Sequence, residues 1–233
     1  WGDGGIPYKD NRDIDQDGDT AEVFSATSAY YEYSARNEVL SRKYIARETV
    51  DNWNKEGLKT GADTAFRYKL WNYNNQENLS NFEILDILPH RGDTSSAADA
   101  TTNRLQPRNS QFSNVMTGPI QFTSSIGNKF EVEYTTDAIV GEVDHTNNNL
   151  SWTTNITDFT QVTGIRIKLK SGQTFNRGEL LEAIVPMKAP SAGQLGDRAF
   201  NNFSIATRNT QATPTNFVWN ELYIPNSYKK YFY

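Results

Sequence analysis

Apolar and polar residues alternate with a period of two along several short runs of this chain, and that period decides the fold class before any motif is considered. Phe66-Arg67-Tyr68-Lys69-Leu70 alternates strictly, as do Phe130-Glu131-Val132-Glu133-Tyr134 and most of Val162 to Lys170. A strand sends successive side chains to opposite faces, so such alternation marks strands with one face in a core. Phe82-Glu83-Ile84-Leu85-Asp86-Ile87-Leu88 is more continuously apolar and stops at Pro89. Turn-forming clusters separate the runs at Asn72 to Asn75, Asn147-Asn148-Asn149 and Ser171-Gly172. Many short strands with such connectors predict an all-β, immunoglobulin-like β-sandwich with long loops. Residues 92 to 112, rich in Ser, Thr, Ala and Asn, are expected to be one long loop. Arg177 to Ala183 is expected to form one or two helical turns. Residues 1–35, rich in Asp and Tyr, read as a leading segment, and residues 36–233 as the body of the sandwich.

Composition narrows the function. The chain has 233 residues, enough to bury a sizeable core. Its formal net charge is -5 and no basic stripe runs through it, which argues against nucleic acid and against a polybasic membrane contact. It has no cysteine, which removes disulfides, thiolate metal sites and cysteine nucleophiles. The two histidines, His90 and His145, are too few for a multi-histidine zinc site. No apolar stretch reaches transmembrane length, so no membrane insertion is expected. Neither a Gly-x-Ser-x-Gly elbow nor a phosphate-binding glycine loop is present, and an enzyme acting on an external substrate is not expected. Paired carboxylates for glycoside hydrolysis leave no sequence signature, so a carbohydrate-binding or carbohydrate-active β-sandwich stays open as the alternative. The abrupt opening Trp1-Gly2-Asp3, without a secretory signal, reads as a segment of something longer.

Taken in order, several runs resemble a known family. Phe66 to Leu70, then Asn74-Asn75, then Phe82 to Pro89 resemble the repeated β-sandwich domains of Gram-positive wall-anchored adhesins and pilins, in which an aromatic–x–Tyr–x–Leu strand and an Asn-rich turn lead to a strand ending Asp–x–Leu–Pro. Arg42-Lys43-Tyr44-Ile45 is similar to their first strand. Val185 to Pro190 and Ala199 to Phe203 are similar to their closing strands. The similarity spans roughly residues 39 to 206. It implies an extracellular module on the cell surface or cell wall, structural or adhesive. Its partners would be neighbouring domains of the same surface protein and a host or cell-surface protein or glycan ligand. It also implies a spontaneous Lys–Asn isopeptide bond promoted by an acid, on Lys43, Asn201 and Asp86.

The chemistry of that bond asks specific things of the residues. An ammonium is no nucleophile, so Lys43 must become neutral, which burial favours. Burial likewise favours the neutral form of a carboxyl, and a neutral Asp86 could polarise the asparagine carbonyl and relay a proton. The product is an amide cross-link with loss of ammonia, roughly 17 Da. Strand parity puts Phe82, Ile84, Asp86 and Leu88 on one face. It puts Ala199, Asn201, Phe203 and Ile205 on another, with Asn202 turned away beside Ser204, and so favours Asn201 over its neighbour. Lys43 shares a face with Val39, Ser41 and Ile45. The bland alternative is a turn aspartate before Leu-Pro and a solvated strand lysine.

Three further features carry weaker chemistry. Asp13, Asp15, Asp17 and Asp19, with Gly18 between the last two, match the opening of an EF-hand-type loop and make a candidate Ca²⁺ site. The twelfth position is Phe24, with Glu22 nearby, so the site would be irregular. Arg91-Gly92-Asp93 has the form of an integrin-recognition tripeptide and also of a turn. Trp53, Trp71, Trp152 and Trp219, with Tyr228, Tyr231, Phe232 and Tyr233, could line a glycan or peptide groove or simply fill a core.

Overall fold

The computed structural model describes residues 38–207 and 212–223, together with the backbone of two short strands, β1 (Tyr8–Lys9) and β2 (Val23–Phe24), which pair antiparallel. The chain divides into two compact units, Trp1–Ala35 and Arg36–Tyr233. Asp13, Asp15, Asp17 and Asp19, and the aromatic residues from Tyr228 onward, lie outside the described residues.

Among its described residues the larger unit is built of strands with two short 3₁₀ turns (Ser125–Lys129 and Phe159–Gln161). In chain order the strands are β3 (Val39–Arg47), β4 (Gly57–Thr60), β5 (Ala65–Asn74), β6 (Phe82–Ile87), β7 (Thr94–Ala98) and β8 (Leu105–Pro107). They continue with β9 (Val115–Met116), β10 (Gln121–Phe122), β11 (Phe130–Thr135), β12 (Gly164–Leu169) and β13 (Leu180–Lys188). The last are β14 (Arg198–Asn201), β15 (Ser204–Thr207), β16 (Thr213–Pro214) and β17 (Val218–Leu222).

Two five-stranded sheets supply the main layers, ordered β10-β13-β5-β3 with β9 also on β13, and β11-β12-β6-β15-β16. A smaller sheet, β14-β17-β4, closes one side, and β7 pairs with β8. The expected all-β sandwich is therefore the fold, and the period of two is its cause. Along β5 every second residue is buried: Phe66, Tyr68, Leu70, Asn72 and Asn74. Facing them in register on β13 are Met187, Val185, Ala183 and Leu181, all fully buried. From the other sheet Phe82, Ile84, Ile165 and Ile167 enter the same core, joined by Phe203 from the link between β14 and β15. Phe82, Phe130 and Phe175 meet edge-on at its end, with centroids 5.1 to 6.1 Å apart. Strand β6 is buried on both faces, because a second cluster of Leu85, Ile87 and Val143, with Trp152 packed on it, covers its back. That explains its nearly continuous apolar sequence.

Three expectations are corrected. Residues 92 to 112 are not one loop: they contain β7 and β8. Their hydroxyls are buried but satisfied, Ser95 Oγ donating to the Ala97 carbonyl (2.9 Å) and Ser96 Oγ to the Leu85 carbonyl (3.0 Å). Composition reads such a strand as loop because its inward side chains are polar. Arg177 to Ala183 forms no helix. Gly178, at φ 85°, turns the chain, and Leu181 and Ala183 then join β13 opposite Asn72 and Leu70. Asn72 to Asn75 is not a turn throughout, since β5 runs to Asn74. The Asn74 side chain donates to the Phe175 carbonyl (2.8 Å) and accepts from the Gln76 N–H (3.0 Å), so the chain turns only beyond it.

Candidate functional site: a buried lysine, two acids and an arginine

Lys43 lies mid-way along β3, opposite Leu70 of β5. Its neighbours on the inward face are Val39 and Ile45, so the pleat carries the lysine into the core, where it is fully buried. The Asn216 side chain holds the strand there, accepting from the Lys43 N–H and donating to the Lys43 carbonyl, both at 3.0 Å. Asp86 lies on β6 in the opposite sheet, paired with Ile165, and is equally buried. The two meet across the sandwich: Lys43 Nζ donates to Asp86 Oδ2 and forms an ion pair with it. Asp86 Oδ1 has no partner. Aromatic faces surround the amine, with the Tyr68 ring centroid 4.6 Å away and that of Phe203 5.9 Å away.

Burial pushes the Lys43 amine down from its ordinary value to about 8. Asp86 opposes that shift, and the nearby Arg108 charge adds to it. Burial thus makes the neutral form of this amine more accessible near neutral pH than that of an exposed lysine. Burial, and then the Asp86 charge, push the Tyr68 hydroxyl upward, so it remains a neutral wall.

Asn201 ends β14 and is fully buried. Its Oδ1 accepts from Arg108 Nη1 at 2.7 Å, while its Nδ2 has no partner. Arg108 also lies within the core, and Asp86 and Asp93 both act on its charge while burial pushes it below its ordinary value. The structure therefore brings Lys43 and Asp86 into contact and ties Asn201 to the same buried polar cluster through Arg108. Asn202 is buried too, so parity does not separate the two asparagines by burial. The chain changes sheets between Asn201 and Ser204, and loop residues cover the back of β6. Their bonding separates them: neither polar atom of the Asn202 side chain has a partner.

Sequence reasoning missed Arg108. It follows β8 in the stretch expected to be loop, and Asn109, at φ 60°, turns the chain so that Arg108 and Ser110 both point inward. A lone basic residue after Pro107 carries no periodic signal.

The other sequence features fall elsewhere. Asp93 of Arg91-Gly92-Asp93 is buried, 3.1 Å from Arg108 Nε and accepting from Ser110 Oγ at 2.8 Å. The tripeptide is thus a turn with its acid turned inward, which overturns the integrin-type reading. Each of three half-buried tryptophans lies under a cation: Trp53 under Lys69 (4.6 Å), Trp152 under Arg166 (4.6 Å), Trp219 under Arg198 (4.2 Å). Trp71 instead stacks on Tyr73, with centroids 6.3 Å apart. A hydrolase-like row also occurs. Ser204 Oγ is 3.0 Å from His145 Nε2, and His145 Nδ1 is 2.8 Å from Glu83 Oε1. Ser204 has no exposed surface and its Oγ also contacts Ser96 Oγ at 2.7 Å, so the row ties the loop carrying His145 to the sheet. Among the described residues no cluster of three or more His, Asp or Glu side chains could hold a metal, and no helix is long and apolar enough to cross a membrane.

No family model matches the sequence, and no curated protein matches it. Solved structures do resemble the fold. The major pilin subunit of Bacillus cereus aligns over 79% of this chain and 40% of its own, with 13% identity and a TM-score of 0.44. The C-terminal domain of an antigen I/II-family protein of Streptococcus pyogenes aligns over 78% and 46%, with 10% identity and a TM-score of 0.42. A family 123 glycoside hydrolase of Clostridium perfringens aligns over 81% and 28%, with 8% identity and a TM-score of 0.34. The chain thus spans less than half the length of each, and likeness at this distance transfers no function.

Proposed function

We propose that this chain is an extracellular structural or adhesive module of a Gram-positive surface protein, made rigid by a spontaneous bond between Lys43 and Asn201. The observation that carries this reading is the lysine. A fully buried Lys43 meets a fully buried Asp86 that offers it one oxygen, with a buried asparagine in the same cluster. Charged residues are rarely buried so completely, and burying such a pair costs more than a well-packed apolar replacement. A chemical use for the pair accounts for its presence.

The step balances. Lys43 passes a proton to Asp86 and attacks the Asn201 Cγ as a neutral amine. The carbonyl electron pair moves onto Oδ1. Asp86 then protonates Nδ2, the Cγ–Nδ2 bond breaks, and ammonia leaves. Asp86 takes the remaining proton from the new amide nitrogen and ends neutral. Lys43 stands near the start of the larger unit and Asn201 near its end, so the bond ties together strands distant in sequence. Such a closure suits a stalk or adhesin that must resist pulling and proteolysis.

The test is the intact mass of the purified chain beside a Lys43→Ala variant. The expected wild type is lighter than its sequence by roughly 17 Da, and the variant is not. A wild type of full calculated mass would sink the reading.

A further inference from the structure

Arg108 is the least expected member of the buried cluster, and its place is specific. Its backbone N–H donates to the Asp93 carbonyl at 2.9 Å, its Nε lies 3.1 Å from the Asp93 carboxylate, and its Nη1 reaches the Asn201 side-chain oxygen at 2.7 Å. Asp93 is in turn held by the Ser110 hydroxyl and by the backbone N–H groups of Ser110 and His90. The guanidinium is thus anchored on one side and delivered to one carbonyl on the other.

We propose that Arg108 is a catalytic residue of the cross-linking step: its Nη1–H polarises the Asn201 carbonyl and holds the negative charge that develops on Oδ1 as Lys43 attacks Cγ. This rests on the cross-link reading and extends it. Two arguments support it. A primary amide is a poor electrophile, and a buried donor already 2.7 Å from the oxygen needs no reorganisation when charge develops there. The acid's part is also divided. Asp86 is engaged by Lys43, and its other oxygen has no partner. It is free to move protons while the arginine handles the carbonyl. The arginine's positive charge further favours the neutral, nucleophilic form of Lys43, so one residue prepares both reactants. No net charge is created: the carbonyl electrons return as the Cγ–Nδ2 bond breaks and ammonia departs.

The experiment compares wild type with Arg108→Lys and with the double variant Asp93→Asn/Arg108→Gln, following intact mass from isolation through prolonged incubation. Arg108→Lys keeps a cation for Asp93 but loses the fork that serves both partners. The double variant leaves no buried charge unpaired in the Asp93 pair. Near-UV circular dichroism of the buried tyrosines reports folding for each, and whichever variant is folded decides. The expected result is wild type fully lighter by roughly 17 Da at isolation, with folded variants at full mass that lose ammonia about a hundredfold more slowly, the usual effect of removing one such donor. A folded variant already fully converted at isolation would overturn the role of Arg108 while leaving the cross-link standing. A wild type at full mass would remove the cross-link and Arg108's role together.

Discussion

Two buried ion pairs share this core, and their acids are treated differently. Asp93 accepts from Ser110 Oγ, from the N–H groups of Ser110 and His90, and faces Arg108. Asp86 has Lys43 on one oxygen and nothing on the other. Lys43 has three protons to donate, one carboxylate oxygen to receive them, and the rings of Tyr68 and Phe203 beside it. A low-dielectric core strengthens a satisfied polar network and penalises a half-satisfied one. By that measure the fully engaged Asp93 carboxylate holds a loop in place, although Nε and Nη2 of its partner Arg108 have no hydrogen-bond acceptor, and the half-engaged Asp86 carboxylate is a standing cost. Under-satisfaction is what a reactive site looks like before reaction. The proposed step removes it, because the ammonium becomes an amide and the carboxylate becomes an acid.

The sharpest way to break this contrast is to remove the cross-link. Joining residues 43 and 201 closes a loop of roughly 160 residues, which in the chain-entropy account stabilises the fold by about 5 kcal/mol. Asn201→Ala should therefore lower stability by about that much, with the lost Arg108 contact adding to it, in guanidinium unfolding followed by tryptophan fluorescence. Equal midpoints for the two proteins would mean that the lysine pair never reacts and is a structural pair like the other. The second break acts on the pair whose acid is fully hydrogen-bonded. Asp93→Ala leaves Arg108 buried without its counter-charge, and removing one partner of such a pair costs about 4 kcal/mol. The same unfolding experiment reads it. A loss under about 1 kcal/mol, the range of exposed pairs, would show that the Asp93 network is not the anchor its hydrogen bonds suggest.

How much of this was legible in the sequence follows from which signals are periodic. The sandwich was legible, because Phe66 to Leu70 of β5 alternates strictly and the apolar run of β6, which ends at Ile87, is cut off by Pro89. Strands β7 and β8 were not. Their buried side chains are largely serine and alanine, and the two pair with each other while a hydroxyl bond, Ser96 Oγ to Leu85 O, ties β7 to β6. The same blindness hid Arg108, whose inward turn is set by the left-handed backbone of Asn109. Asp86 could be named because one acid in an otherwise apolar face is conspicuous. The burial of Lys43 could not be settled from Val39, Ser41 and Ile45, because Ser41 is only half-buried and β3 lies at a sheet edge. Asn216, far away in sequence, is what clamps the strand at that lysine.

The finest test of the contrast is titration, and its sign follows from the lysine alone. In the folded chain the Lys43 amine sits at about 8, below its ordinary 10.5, because burial outweighs the pull of Asp86. Between those two values the unfolded chain binds a proton at residue 43 that the folded chain largely does not, so stability rises with pH across that window. Below about pH 8 both states are protonated and the burial penalty is present in full. Above about 10.5 both are neutral and the penalty is gone. The swing is about 3 kcal/mol, and it exists only while Lys43 keeps a free amine. Asn201→Ala, which cannot cross-link at residue 201, should therefore grow more stable from pH 8 to pH 10 relative to the same variant carrying Lys43→Met. Cross-linked wild type should show no such rise from this residue, since its amide nitrogen does not titrate. If wild type and Asn201→Ala instead gain equally over that range, the amine is free in both and the two ion pairs of the core are alike in kind.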